Sequence, residues 1–264
     1  MNATQPVGTR LREWRERRRW TQLAFACEAE ISSKHLSFIE TGRSKPSREM
    51  LLHLAELLEV PLRERNELLV AAGFAPIFSE HTLGDPALQS ARHAIDQVLR
   101  GHEPFPALAI DRRWNMVTAN RTVAFMLEGI SSKLLEPPVN VLRLSLHPEG
   151  LAPRIVNLGQ WRQHLLKRLS REIELSADVE LSKLQDELLS YPAPAAPRAS
   201  RDVSLGVVVP FRLAFGATTL SFISTTTVFG TPIDITLSEL AIESFFPTDA
   251  ATAAALNELA SAGA

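Results

Sequence analysis

Thr21-Gln22-Leu23-Ala24-Phe25-Ala26, followed by Ile31-Ser32-Ser33-Lys34-His35-Leu36-Ser37-Phe38-Ile39-Glu40-Thr41-Gly42-Arg43-Ser44-Lys45-Pro46-Ser47, is the stretch on which the fold turns. Thr21 and Ser32 stand where a hydroxyl can take a free N–H of a helix's first turn, so each opens a short helix. Leu36 and Ile39 lie three apart on one side of the second of these, and Gly42 supplies its stop. Working outward, Pro46–Ser47 opens a further helix with Met50, Leu51, Leu54, Leu57 and Leu58 on one face. Pro61 starts another, through Leu62, Leu68 and Leu69 to Gly73. Upstream, Leu11, Trp14 and Arg18 form one stripe of a helix near residues 8–18, whose other faces carry Arg12, Arg15, Arg17 and Arg19. The expectation is five helices with no strand between Gly8 and Ala72.

Charge divides the chain. Residues 1–50 carry ten Lys/Arg against six Asp/Glu, net +4, and the remainder eighteen against twenty-four, net −6. A basic head on an acidic body suits a phosphate-facing N-terminal part. The helix opened by Ser32 has the form a major groove admits, with polar residues at its exposed start and apolar ones behind. Ser32, Ser33, Lys34, His35, Ser37 and Phe38 meet the first need; Leu36 and Ile39 meet the second. Lys34 suits guanine acceptors and Phe38 a thymine methyl. Thr41, Arg43 and Lys45 follow in a loop suited to backbone phosphates.

The quoted stretch resembles the phage-repressor-like (XRE-type) helix-turn-helix family, matching its Thr-Gln start, Ser-capped recognition helix and Glu-x-Gly-Arg-x-x-Pro exit. The resemblance covers residues 8–73 and implies a five-helix, lambda-repressor-like DNA-binding domain. Family geometry would put Ser33, Lys34 and Phe38 nearest base edges, with Gln22 at the mouth of the preceding helix, within reach of phosphate or base. It also implies a structural ion pair between Arg15 and Glu40. Glu30 departs from the family, which has Gly in the inter-helix turn, so a strained or reshaped turn is expected there. One unit reads a short half-site, and a homodimer on double-stranded, palindromic operator DNA is expected.

Beyond a turn signal between Pro76 and Pro86 the pattern changes. Residues 87–101 read as helix, Ala107–Asp111 and Trp114–Ala119 as a hairpin, and Asn120–Gly129 as helix. Leu158–Leu189 is helical by period and Tyr191–Pro197 is a proline-rich break. Val203–Phe215, Thr218–Phe229 and Leu240–Phe246 read as strands. The order looks like a PAS-type sensor. The run Leu62–Leu69 into Ala72-Gly73-Phe74-Ala75-Pro76, then Asp85-Pro86-Ala87, Pro104-Phe105-Pro106-Ala107 and Asp111-Arg112-Arg113-Trp114-Asn115, resembles the MmyB-like regulators. That resemblance implies a multidomain transcription factor: an all-α head followed by an α/β PAS-like domain binding a small apolar ligand, with a fatty acid or similar lipid-like molecule as the expected type.

The expected plan is a DNA-binding domain over 1–76, a linker and connecting helix over 77–106, a PAS-like domain over 107–249 and a flexible tail over 250–264. Trp114, Met116, Phe125, Leu142, Trp161, Leu165, Phe211, Phe215 and Phe222 supply the apolar bulk for a ligand pocket, and serve equally as ordinary core. The alternative is a constitutive DNA-binding protein whose second domain only dimerises or binds another protein.

Other classes are disfavoured. At 264 residues, with 45% hydrophobic and 22% charged side chains, two globular domains are the natural division. No apolar run is long enough for a membrane helix and the basic start lacks a signal-peptide core, so a cytoplasmic protein off the membrane is expected. The single cysteine, Cys27, is expected to pack. Neither a Gly-x-Ser-x-Gly elbow, a Gly-rich phosphate loop nor paired histidines at metal spacing occur among the seven histidines. The chain is therefore read as a non-enzyme with no cofactor and no metal.

Overall fold

The computed structural model describes residues 5–192 and 208–262. They divide into two compact units, the first running to Thr82 and including Glu174–Ala177 and Thr231–Ser238, the second built from the remaining described residues.

The first unit holds α1 (Val7–Arg17), α2 (Gln22–Glu28), α3 (Ser33–Glu40), α4 (Arg48–Leu57) and α5 (Leu62–Ala71). Three of these begin at a hydroxyl that accepts a backbone N–H three residues on: Thr21 from Ala24, Ser32 from His35 and Ser47 from Met50, each at 3.1 Å. The apolar stripes of the helices meet in one core, where Leu11, Trp14, Phe25, Leu36, Ile39 and Leu54 are buried. Glu30 keeps a left-handed backbone at φ 55° rather than reshaping the turn. Cys27, expected to pack, is instead exposed: Phe25 and Ala26 take the inward side of α2, and the helical step carries Cys27 round to solvent. At Gly8, α1 meets the end of α3 so closely that a Cβ would fall 2.1 Å from the Ile39 carbonyl oxygen.

The second unit is a five-stranded antiparallel sheet with helices on both faces. In chain order its elements are α6 (Gln89–Gly101), β1 (Ala107–Ile110), β2 (Met116–Ala119), α7 (Arg121–Met126), α8 (Val141–Leu146), α9 (Leu158–Ser176, up to Ile173), α10 (Val179–Ser190), β3 (Phe211–Phe215) and β4 (Thr218–Val228). After α11 (Ile235–Ser238), which falls in the first unit, come β5 (Ala241–Pro247) and α12 (Ala250–Ala262). The strand order is β2-β1-β5-β4-β3. Alternation sorts the side chains of β1: Ala107 and Ala109 pack with Ile95 and Leu99 of α6, while Leu108 and Ile110 join the main core on the opposite face. In register with Leu108 on that second face come Glu243, then Thr226; the row beside it pairs Ser224 with Phe245.

Four expectations need correction. The periodic segment 158–189 is two helices, because Ala177 turns left-handed at φ 56° and Asp178 recaps the chain by accepting the Glu180 N–H at 2.8 Å. Helix α6 is not a connector but one wall of the second unit. The segment from Ala250 is not a flexible tail. It is a helix on β4 and β5 with Leu256 buried, and Thr252 Oγ1 accepts the Ser221 N–H at 3.0 Å. The strand expected from Val203 begins at Phe211; residues 203–207, and residues 193–197 of the proline-rich break, lie outside the described residues.

Candidate nucleic-acid interface and ligand cavity

Helix α3 separates its chemistry by face. Leu36, Ile39 and Glu40 point inward and are buried, whereas Ser32, Lys34 and His35 are exposed and Ser33, Ser37 and Phe38 half-exposed. Two cations flank Phe38: the Lys34 ammonium lies 5.7 Å and the Arg43 guanidinium 5.8 Å from its ring centre. Thr41 donates its hydroxyl hydrogen to the Ser37 carbonyl at 2.7 Å, and Arg43 and Lys45 are exposed in the loop beyond.

Behind this surface, Arg15 and Glu40 form a two-pronged pair. Nε and Nη2 of Arg15 donate to the two carboxylate oxygens at 2.7 and 3.1 Å, and Nη1 donates to the Trp20 carbonyl at 2.7 Å. Gln22 donates to the same carboxylate at 3.0 Å. One side-chain N–H of Gln22 is thus spent on Glu40, and the carboxylate joins α1, α2 and α3.

A cavity of about 90 Å³ opens between the second face of the sheet and helices α8 and α9. That is well below the ~300–1,000 Å³ of many ligand sites, so as it stands the cavity holds a small guest. Of the sequence-derived pocket residues, Trp114, Met116, Leu142, Trp161, Leu165 and Phe211 line it. Phe222 is buried in the core beside Phe211, Phe215 packs against that core with Arg154 6.0 Å from its ring centre, and Phe125 is half-buried; none of these three lines the cavity.

Sequence reasoning missed the polar part of the wall. Arg168 Nη2 on α9 donates to Glu243 Oε1 on β5 at 2.5 Å, and Thr226 donates to the same oxygen at 2.9 Å. The Arg168 guanidinium lies 4.4 Å from the Trp114 ring centre, and the Trp114 indole N–H donates to Glu172 at 2.6 Å. Burial pushes the Glu172 carboxyl above its usual range, against the pull of Trp114 and Arg168. Trp114 holds a left-handed backbone, φ 64°, which costs energy for so large a side chain. Trp161 donates to the buried Ser145 hydroxyl at 2.9 Å. Helix–strand pairs far apart in sequence leave no local signal; the available hint was a lone Glu among the apolar residues of Leu240–Phe246.

Comparison with known families agrees with both halves. Residues 6–68 match the family profile of a helix-turn-helix domain, and residues 91–259 match that of the MmyB-like transcription regulator ligand binding domain. Among curated proteins no relative matches the chain. Among the described residues no helix is long and apolar enough to cross a membrane. With a helix-turn-helix head and a ligand-binding domain that accounts for more than half of its length, the chain belongs to the MmyB-like transcription regulators and is a DNA-binding transcription regulator with a ligand-binding domain.

Proposed function

We propose that the chain binds a palindromic operator as a homodimer and answers to a small apolar ligand, of the fatty-acid or lipid-like type, held in its PAS-like second domain, acting in the cytoplasm where its DNA lies. Helix α3 is the groove reader, with Ser33, Lys34 and Phe38 nearest the bases, Ser32, His35 and Ser37 beside them and Gln22 at the entrance. Thr41, Arg43 and Lys45 hold phosphates. Arg15 and Glu40 stay off the DNA and fix α1 to α3. Support comes from the exposed polar side of α3 and the buried pair behind it.

The observation that carries the ligand half is the cavity itself, apolar over most of its wall and with a strained tryptophan among its lining residues. A ligand there shifts the balance between conformations of differing operator affinity by its unequal affinity for them.

Selection from random DNA duplexes is expected to return an inverted repeat with half-sites about one helical turn apart. Native mass spectrometry of the full chain should show a dimer. A monomer on an unsymmetrical site sinks the dimer reading. A second domain that serves only dimerisation or protein–protein interaction would show no ligand-induced rise in melting temperature, which a sensor's ligand gives by binding the folded state alone.

A further inference from the structure

Val228 of β4 and Ala241 of β5 face each other in register, so a turn of about two to five residues would join the two strands. The chain instead spends residues 229–240 on this connection, and Thr231–Ser238 of it belong to the first unit. A connection so much longer than its span is the kind that carries a function of its own.

In the first unit it is seated by backbone and side chains together. Ser79 and Asp234 form a parallel bridge, and the Ile235 N–H donates to the Ser79 carbonyl at 2.9 Å. Asp234 Oδ2 lies 2.7 Å from His81 Nδ1 and accepts the His81 backbone N–H at 3.3 Å. Thr236 donates its hydroxyl hydrogen to the His81 carbonyl at 2.5 Å. Asp234 and Ile235 are 5% and 2% exposed, whereas Ile233 just before them is 85% exposed. Burying a carboxylate requires that its partners be in place, so the segment docks in one register.

The receiving stretch is in turn fixed to α5. Asn66 Oδ1 accepts the N–H groups of Ile77 and Phe78 at 3.0 and 3.1 Å, and Asn66 Nδ2 donates to the Phe78 carbonyl at 2.8 Å. Arg63 holds the Glu80 carboxylate with two hydrogen bonds, at 2.8 and 2.6 Å. Arg10 on α1 donates to Glu67 on α5 at 3.0 Å, and α1 meets α3 at Gly8. Within the first unit, contacts therefore run without a gap from Asp234 to the helix of the proposed groove readers. At its two ends the same connection continues into β4 and β5, which supply Ser224, Glu243 and Phe245 to the cavity wall.

We infer that the β4–β5 connection is a strap coupling the cavity to the DNA-reading head, with the seating of Asp234–Thr236 on Ser79–His81 as the element that both sites bias. This rests on the reading of the chain as a ligand-responsive operator binder and names the route of that response. An occupant that shifts β4 against β5 moves both ends of the strap and alters its seating. Coupling is reciprocal, so operator binding at the head must in turn alter β4 and β5.

Hydrogen exchange read by mass spectrometry on the full chain, with and without the operator duplex selected from random DNA, follows the return direction and needs no ligand. Amides of β4 and β5 are expected to change exchange rate by about fivefold or more on operator binding, while those of α10 stay as they are. Asp234→Ala removes the buried carboxylate and should cut the β4 and β5 response to less than about half. No response of β4 and β5 in the unaltered protein on its operator, or a full response in a folded D234A chain, overturns the strap and leaves the operator reading intact. A chain that prefers no duplex over random DNA overturns the operator reading and the strap with it. Should D234A not fold by circular dichroism, Thr236→Val, which keeps the branched shape and loses the hydrogen bond to His81, decides by the same measure.

Discussion

Gly8 on α1 and Ile39 on α3 meet backbone to backbone: a Cβ at Gly8 would stand 2.1 Å from the Ile39 carbonyl oxygen and 2.8 Å from that of Glu40. Backbone cannot yield as a side-chain tip can. Gly8→Ala should therefore cost about 1–3 kcal/mol, the range for overpacked sites, read as a lower urea midpoint by circular dichroism. Because α3 carries the proposed groove-reading residues, operator affinity should fall as well. An unchanged midpoint would mean that α1 can retreat freely.

The Arg15–Glu40 pair has both side chains nearly inaccessible, 8% and 3% exposed. Removing one partner leaves a buried charge, so Arg15→Ala should cost about 3–5 kcal/mol, whereas Arg15→Met with Glu40→Leu should recover most of that loss. Equilibrium denaturation of the single and double variants tests this. A single variant losing less than about 1 kcal/mol contradicts it.

Lys34→Ala should weaken the selected operator by roughly 1–3 kcal/mol and relax base preference at one position. Arg43→Ala and Lys45→Ala should weaken all sequences alike and each reduce the salt slope by about one. Fluorescence anisotropy over a salt series separates the patterns. Equal loss on random and selected DNA for Lys34→Ala would show that it holds phosphate instead.

The half-buried His164 ring stacks on Trp161 with centres 5.3 Å apart. Burial, then the charge of Arg168, holds its pKa below the ordinary histidine value, with Glu243 pulling the other way. The unfolded chain thus takes this proton first as pH falls. The contribution of His164 to stability is complete above the unfolded value near 6.5 and declines below it, levelling only once pH passes the lower folded value. His164→Gln should remove that part of the acid-side decline, measured as the difference between variant and parent denaturation midpoints at about pH 7.5 and about pH 5, which lie on either side of the ordinary histidine value. A parallel decline in both proteins would rule it out.

Glu30 holds φ 55° with its side chain exposed. Glu30→Gly should stabilise the first unit by roughly 0.5–1 kcal/mol, the relief of left-handed strain less the added freedom of the unfolded chain. A rise in melting temperature checks it, and a fall would show that the Glu30 side chain contributes more than its backbone costs.

Local signals were legible and distant ones were not. Thr21, Ser32 and Ser47 could be read as caps because a hydroxyl and an N–H three residues on are neighbours in any helix start. The break at Ala177 hid behind an intact apolar period, since a left-handed alanine carries no compositional mark. Helix α12 was obscured by a run of alanines around the one large buried anchor, Leu256. Phe211 and Phe222 are register partners on β3 and β4, yet only Phe211 lines the cavity, and hydrophobicity alone could not separate them. Arg168 and Glu243 meet across 75 residues of sequence, which no spacing rule reaches.

Strand β5 lies between β1 and β4, and Ala107 of β1 pairs with Ser244, about half the chain length away. During synthesis the core cluster of the helical head is complete by Phe74, while β1 waits for its inner neighbour until Ala241–Ser244 have emerged. The β1–β2 and β3–β4 hairpins close locally, but joining them through β5 closes a long loop late, so the head is expected to mature on the nascent chain before the sensor's sheet is complete.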